Sequence, residues 1–244
     1  MKIQRLIGLL IVAALVSIPA RAQTPDSAED YLKRGVARIE QGNLAGAIAD
    51  YTRAIEINSR LAPGFLCRGG EIAVSDLFNA LALNNRGFAH YRNGDWDQAL
   101  ADFDRAIRMQ PRLADAYSNR GNVWQQKGEL QKALHDFNQA IKLNPRHSAA
   151  FNNRANLYQA NGELAEAIID YTRSIEMEPA QATAFANRGL TFLQLGRNRE
   201  AGQDFKRAIE LNPGLKAQLE RLIRSEAKLP EAVTFTTNTN KEKP

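Results

Sequence analysis

Residues 114–147 read ADAYSNRGNVWQQKGELQKALHDFNQAIKLNPRH, and four features of this stretch return at a fixed step of 34 along the chain. Gly121 has counterparts in Gly87, Ala155 and Gly189, and Ala133 in Ala99, Ala167 and Ala201. Phe137 is matched by Phe103, Tyr171 and Phe205, and Pro145 by Pro111, Pro179 and Pro213. A fainter copy covers 28–61, with Gly35, Ala47, Tyr51 and Ala54 in place and Ser59 where proline stands elsewhere. Each copy reads as a helical hairpin. The two small residues let helix A approach helix B, and the aromatic fills the space beside them. Gly128, Gly162 and Gly196 end helix A where a left-handed residue is needed. Glu129 and Glu163 open helix B, where negative charge suits the dipole. Asn144 and Asn212 precede prolines and so stop helix B.

A 34-residue period with small residues at repeat positions 8 and 20, an aromatic at 24 and proline at 32 resembles the tetratricopeptide repeat. The step of 34 excludes the pentatricopeptide family, whose period is 35. The resemblance covers 28–61 and 80–215 and implies an all-α fold. The expected architecture is a right-handed α-α superhelix of about five helical hairpins, with A helices inside and a C-terminal capping helix. The copies are 28–61, 80–113, 114–147, 148–181 and 182–214. The cap is 215–228, with Leu215, Leu219, Leu222 and Ile223 on one face. Between the first two copies, Phe65, Arg68 and Gly69 imitate the start Leu83, Arg86 and Gly87. The frame from Phe65 fails, with Asp76 at the glycine position and Asn85 at the aromatic one. Residues 62–79 are therefore an insertion, either a surface excursion or a lid beside the groove, with Ser75-Asp76 as a candidate helix cap.

Outside the repeats, residues 1–22 carry Lys2 and Arg5, an apolar run from Leu6 to Ile18, and Ala20-Arg21-Ala22. This is the pattern of a secretory signal peptide, and the expected location is periplasmic or secreted; an uncleaved membrane anchor is the alternative. The run is shorter than the roughly 20 residues of a spanning helix, so no integral span is expected after cleavage. A short linker, 23–27, and a disordered tail, 229–244, complete the chain. Loss of Lys2, Arg5 and Arg21 with the leader lowers the formal charge from +5 to +2. With no basic block beyond it, nucleic acid is not an expected partner. Cys67 is the single cysteine, so no internal disulfide forms.

The resemblance places repeat positions 2, 5, 6 and 9 of helix A in the concave groove. Position 6 is Asn85, Asn119, Asn153 and Asn187, and position 9 adds Asn122 and Asn156. Asn is a weak helix former, so its recurrence is not explained by propensity. A carboxamide offers a donor and an acceptor and so matches a peptide unit in both senses. The pattern resembles the asparagine ladder of the O-GlcNAc transferase superhelix, which implies an extended peptide held by its backbone. Adjacent helices about 8–10 Å apart match about three extended residues. The competing reading gives these amides to neighbouring helices. A carboxylate clamp is not expected, because Asp115, Ser118, Ala149, Asn152, Thr183 and Ala186 supply no cation. Arg34, Arg86, Arg120, Arg154 and Arg188 at position 7 and Asp50, Asp102, Asp136, Asp170 and Asp204 at position 23 read as structural ion pairs. His90, His135 and His147 lack partners at metal or catalytic spacing, so neither enzyme activity, metal nor cofactor is expected. The expected function is a scaffold for a protein or peptide partner. Self-association into an array and service as an accessory subunit of an envelope complex are the alternatives.

Overall fold

In a computed structural model, residues 27–61 and 71–226 are described. The leader, most of the linker, residues 62–70 and the tail from 227 onward lie outside them, as does Cys67. Eleven α-helices and no strand occur among the described residues: α1 (Ala28–Glu40), α2 (Leu44–Leu61), α3 (Glu71–Asn93), α4 (Trp96–Met109), α5 (Ala114–Gln126) and α6 (Leu130–Leu143). There follow α7 (Ser148–Ala160), α8 (Leu164–Met177), α9 (Ala182–Gln194), α10 (Asn198–Leu211) and α11 (Lys216–Glu226), the last preceded by a 3₁₀ turn at Pro213–Leu215.

The boundaries follow local chemistry. Ser27 and Asp30 form a reciprocal capping box, with Asp30 N–H donating to Ser27 Oγ at 3.1 Å. Between the helices of a hairpin, Gly94, Gly128, Gly162 and Gly196 hold φ of 71–87°. A Cβ there would meet nothing within 4 Å, so the backbone angle and not crowding demands glycine. Glu129 and Glu163 sit at the N-caps of α6 and α8 without a side-chain capping bond. Helices α4, α6, α8 and α10 each have 14 residues and stop before an extended residue that precedes proline. Helix α2 lacks that proline and runs to 18 residues.

Helix α3 corrects the reading of the insertion. It has 23 residues and begins at Glu71, so Ser75 and Asp76 lie within the helix and not at its start. Its extra N-terminal turns end in packed residues: Phe78 joins the core around Tyr51, and Asn79, 7% exposed, accepts from Asn58 Nδ2 at 2.9 Å. The C-terminal part of the insertion thus belongs to the folded array.

The chain divides into two compact units at Val123–Trp124. In the first, Ala47, Tyr51 and Ala54 pack with Leu32 and Ala89, and Phe103 packs with Ala99 and Val123. Gly87 lies so close to Phe103 that an added Cβ would stand 2.8 Å from the ring. In the second, Phe137 packs with Ala133, Leu157 and Trp124, and Tyr171 with Ala155 and Ala167. Its last core joins Phe192, Leu193, Phe205 and Ala208 to Leu219 and Ile223 of α11, which covers the final hairpin. Leu222 is instead 37% exposed.

Candidate functional site

The position-7 arginines connect the hairpins. Because Arg lies three residues after position 4 and four before position 11, ring faces flank it on its own helix. Arg154 lies over Phe151 and Tyr158, and Arg188 over Phe185 and Phe192. In four copies the guanidinium makes a two-point contact with the position-23 carboxylate of helix B. Arg86 donates to Asp102 at 2.7 and 2.6 Å, Arg154 to Asp170 at 2.6 and 2.8 Å, and Arg188 to Asp204 at 2.7 and 2.8 Å. Arg34 does the same with Asp50. These hydrogen bonds hold the Arg34 and Arg154 guanidinium groups even further above neutrality than usual.

Sequence reasoning did not find a further bond. The remaining Nη1 of each later arginine reaches position 25 of the preceding copy: Arg86 to Thr52, Arg120 to Asp104, Arg154 to Asn138 and Arg188 to Thr172, at 2.6–3.0 Å. The signal was present, since position 25 bears a side-chain oxygen in four copies and becomes Lys206 in the fifth, which no repeat follows.

The asparagines lie beside this framework, all partly exposed. In the first unit, Asn119 Nδ2 donates to Asn84 Oδ1 at 3.0 Å, and Asn84 Nδ2 lies 3.4 Å from Asn85 Oδ1. The Asn122 side chain has no hydrogen bond to another described residue. In the second unit, Asn187 Nδ2 donates to Asn156 Oδ1 at 3.0 Å. Tyr171 OH also donates to that oxygen at 2.6 Å and lies 2.9 Å from Gln159 Oε1, while Gln159 Nε2 donates to Gln194 at 3.3 Å. The Asn153 side chain has no hydrogen-bond partner among the described residues, and neither does the buried Asn152 Oδ1. Some ladder amides therefore bond a neighbouring helix and others are unengaged. Each unit presents its own amide-lined stretch. Burial raises the Tyr171 hydroxyl well above the ordinary tyrosine range, so it remains a donor throughout neutral pH.

The histidines have local roles. His90 Nδ1 lies 3.4 Å from Asp95, and with Asn93 this holds the Asp95 carboxyl below its usual range, Asn93 contributing most. His147 Nδ1 accepts from Ala150 N–H at the start of α7. Among the described residues, no group of three His, Cys, Asp or Glu side chains is placed to hold a metal, and no helix is long and apolar enough to cross a membrane.

Tetratricopeptide repeat models match residues 28–60, 86–154, 148–181 and 182–215. No curated protein matches the sequence. Among solved structures, a thermophilic tetratricopeptide repeat protein of Thermus thermophilus is 20% identical, with a TM-score of 0.64 over 83% of this chain and all of that one. A crystal structure of MamA is 24% identical, with a TM-score of 0.54 over 75% of this chain and 96% of that one. YrrB, described as having an unusual peptide-binding site, is 21% identical, with a TM-score of 0.52 over 82% of this chain and 92% of that one.

Proposed function

The chain belongs to the tetratricopeptide repeat family and is a protein-interaction scaffold, and from that premise we propose that it holds extended, uncharged partner segments by their backbone. The contact surfaces would be the amide-lined A-helix faces of each unit. One observation carries the reading: at a register where Asn is costly for a helix, the side-chain amides of Asn122 and Asn153 have no hydrogen bond to any other described residue. Asn119 and Asn187 each use one N–H on a neighbour and keep an oxygen that can accept. The role is non-catalytic, and the leader read in the sequence would place it in the periplasm or outside the cell. That YrrB is described with a peptide-binding site agrees with the reading.

End-to-end self-stacking is the less favoured alternative. At the C-terminal flank Lys206 replaces the oxygen that a following arginine would need, and α11 already covers the last core.

The test is calorimetry of the mature chain with a pool of uncharged 12-residue peptides. Binding on the order of micromolar, insensitive to salt, is expected. The double substitution Asn122→Ala and Asn153→Ala should weaken it at least about tenfold, at two lost hydrogen bonds, with the melting temperature unchanged or raised. No binding by the unaltered chain, or equal binding by the variant, overturns the reading.

A further inference from the structure

The amide of Asn156 differs from its counterparts in how its hydrogen bonds are committed. A carboxamide oxygen has two lone pairs. Those of Asn156 Oδ1 take Asn187 Nδ2 at 3.0 Å and Tyr171 OH at 2.6 Å. The Tyr171 hydroxyl has one proton and two oxygens within reach, Asn156 Oδ1 at 2.6 Å and Gln159 Oε1 at 2.9 Å, and the shorter contact, that of an O–H···O bond, assigns the proton to Asn156. Its acceptor capacity is full, and only Nδ2 remains for a ligand. Asn187 has given one N–H and retains Oδ1. The two side chains therefore present opposite polarities, a donor on α7 and an acceptor on α9.

Tyr171 is the reason this arrangement is fixed. Its side chain is fully buried, and the same register holds Phe103, Phe137 and Phe205 in other copies. Packing therefore does not require the hydroxyl. Tyr51, the remaining tyrosine at this register, has Val36 at position 9 of its own repeat, which offers no acceptor. Only in the fourth copy do a position-24 hydroxyl and a position-9 amide coincide.

Building on the peptide-binding reading above, we propose that Tyr171 is a specificity-determining residue. It locks Asn156 as a donor to a ligand backbone carbonyl while Asn187 Oδ1 accepts a ligand N–H, giving the second unit a fixed sense for the bound segment. Residues Tyr171, Asn156 and Asn187 act together, with Tyr171 positioning and the two asparagines touching the ligand.

The experiment uses the full mature chain and one peptide captured from the uncharged pool. Asn156→Asp keeps an oxygen for Tyr171 and Asn187 but replaces the donor with a second acceptor. It should leave circular dichroism and melting intact and weaken peptide binding at least about tenfold. Tyr171→Phe releases the lock and should weaken binding about three- to tenfold with the helix content unchanged. If the unaltered chain binds no peptide, the underlying reading fails and this one with it. If it binds, and Asn156→Asp binds equally well while folded, the peptide reading stands and the assignment of donor and acceptor is overturned. Should Asn156→Asp not fold, Tyr171→Phe decides: unchanged affinity overturns the proposal.

Discussion

Asn119 in the first unit and Asn187 in the second occupy the same repeat register, yet they turn their amides to different partners. Asn119 donates to Asn84, at position 5 of the preceding copy, and Asn187 to Asn156, at position 9. The cause lies in the preceding copy. The second repeat has Phe88 at position 9 and Phe103 at position 24, so the nearby oxygen is that of Asn84. The fourth has Asn156 and Tyr171 there, and the hydroxyl holds the Asn156 oxygen in place. One repeated residue can therefore serve different hydrogen-bond systems, depending on two neighbours that vary.

The largest test of this comparison asks whether the common framework is equally strong in both units. Asp102→Ala and Asp170→Ala each strand a guanidinium that is under one-fifth exposed. Each should lower stability by about 3–5 kcal/mol in urea denaturation. A loss below about 1 kcal/mol in either unit would mean that its arginine finds another partner or water. Next, the aromatic positions can be exchanged. Phe103→Tyr puts a hydroxyl into a core of Ala99, Val123 and Phe88 and should cost about 1–3 kcal/mol. The reverse change, Tyr171→Phe, removes a satisfied hydroxyl and should cost only about 0.5–1.5 kcal/mol. Equal costs would erase the distinction between the two sites.

The smallest effect is alkaline. Burial raises the folded-state titration of Tyr51 and Tyr171 above the ordinary tyrosine value of about 10, so the unfolded chain ionises first. Their contribution is fully present below about pH 10 and is lost as pH rises beyond it, by somewhat under 1 kcal/mol per tyrosine at about pH 10.5. Melting curves at pH 9 and 10.5 should show a drop for the unaltered chain, and a smaller one for the variant with Tyr51→Phe and Tyr171→Phe.

Much of the fold was legible because its determinants are local and periodic. Gly128, Gly162 and Gly196 mark positive φ, and the prolines mark the helix ends. The Arg–Asp pairs could be read as well, since both partners recur at fixed positions. The start of α3 could not. Ser75-Asp76 has the composition of a cap, but the helix extends four residues further upstream, to Glu71, and its turns end in the packed Phe78 and Asn79. The direction of each amide was also hidden, because it depends on residues about 31–35 positions away in the preceding copy. The bond from each arginine to position 25 crosses between copies, so a reading confined to one hairpin missed it.

That bond also bears on how such an array can grow. A copy such as 148–181 carries an arginine that looks backward to the preceding copy and a position-25 oxygen that serves the next. Duplicated in place, it would find both connections already made, because Thr172 could receive the arginine of its own duplicate. The final copy looks backward in the same way but ends the series with Lys206. Gene duplication, or an engineer, can therefore lengthen this protein from within, whereas extension past residue 215 first requires a new residue at 206.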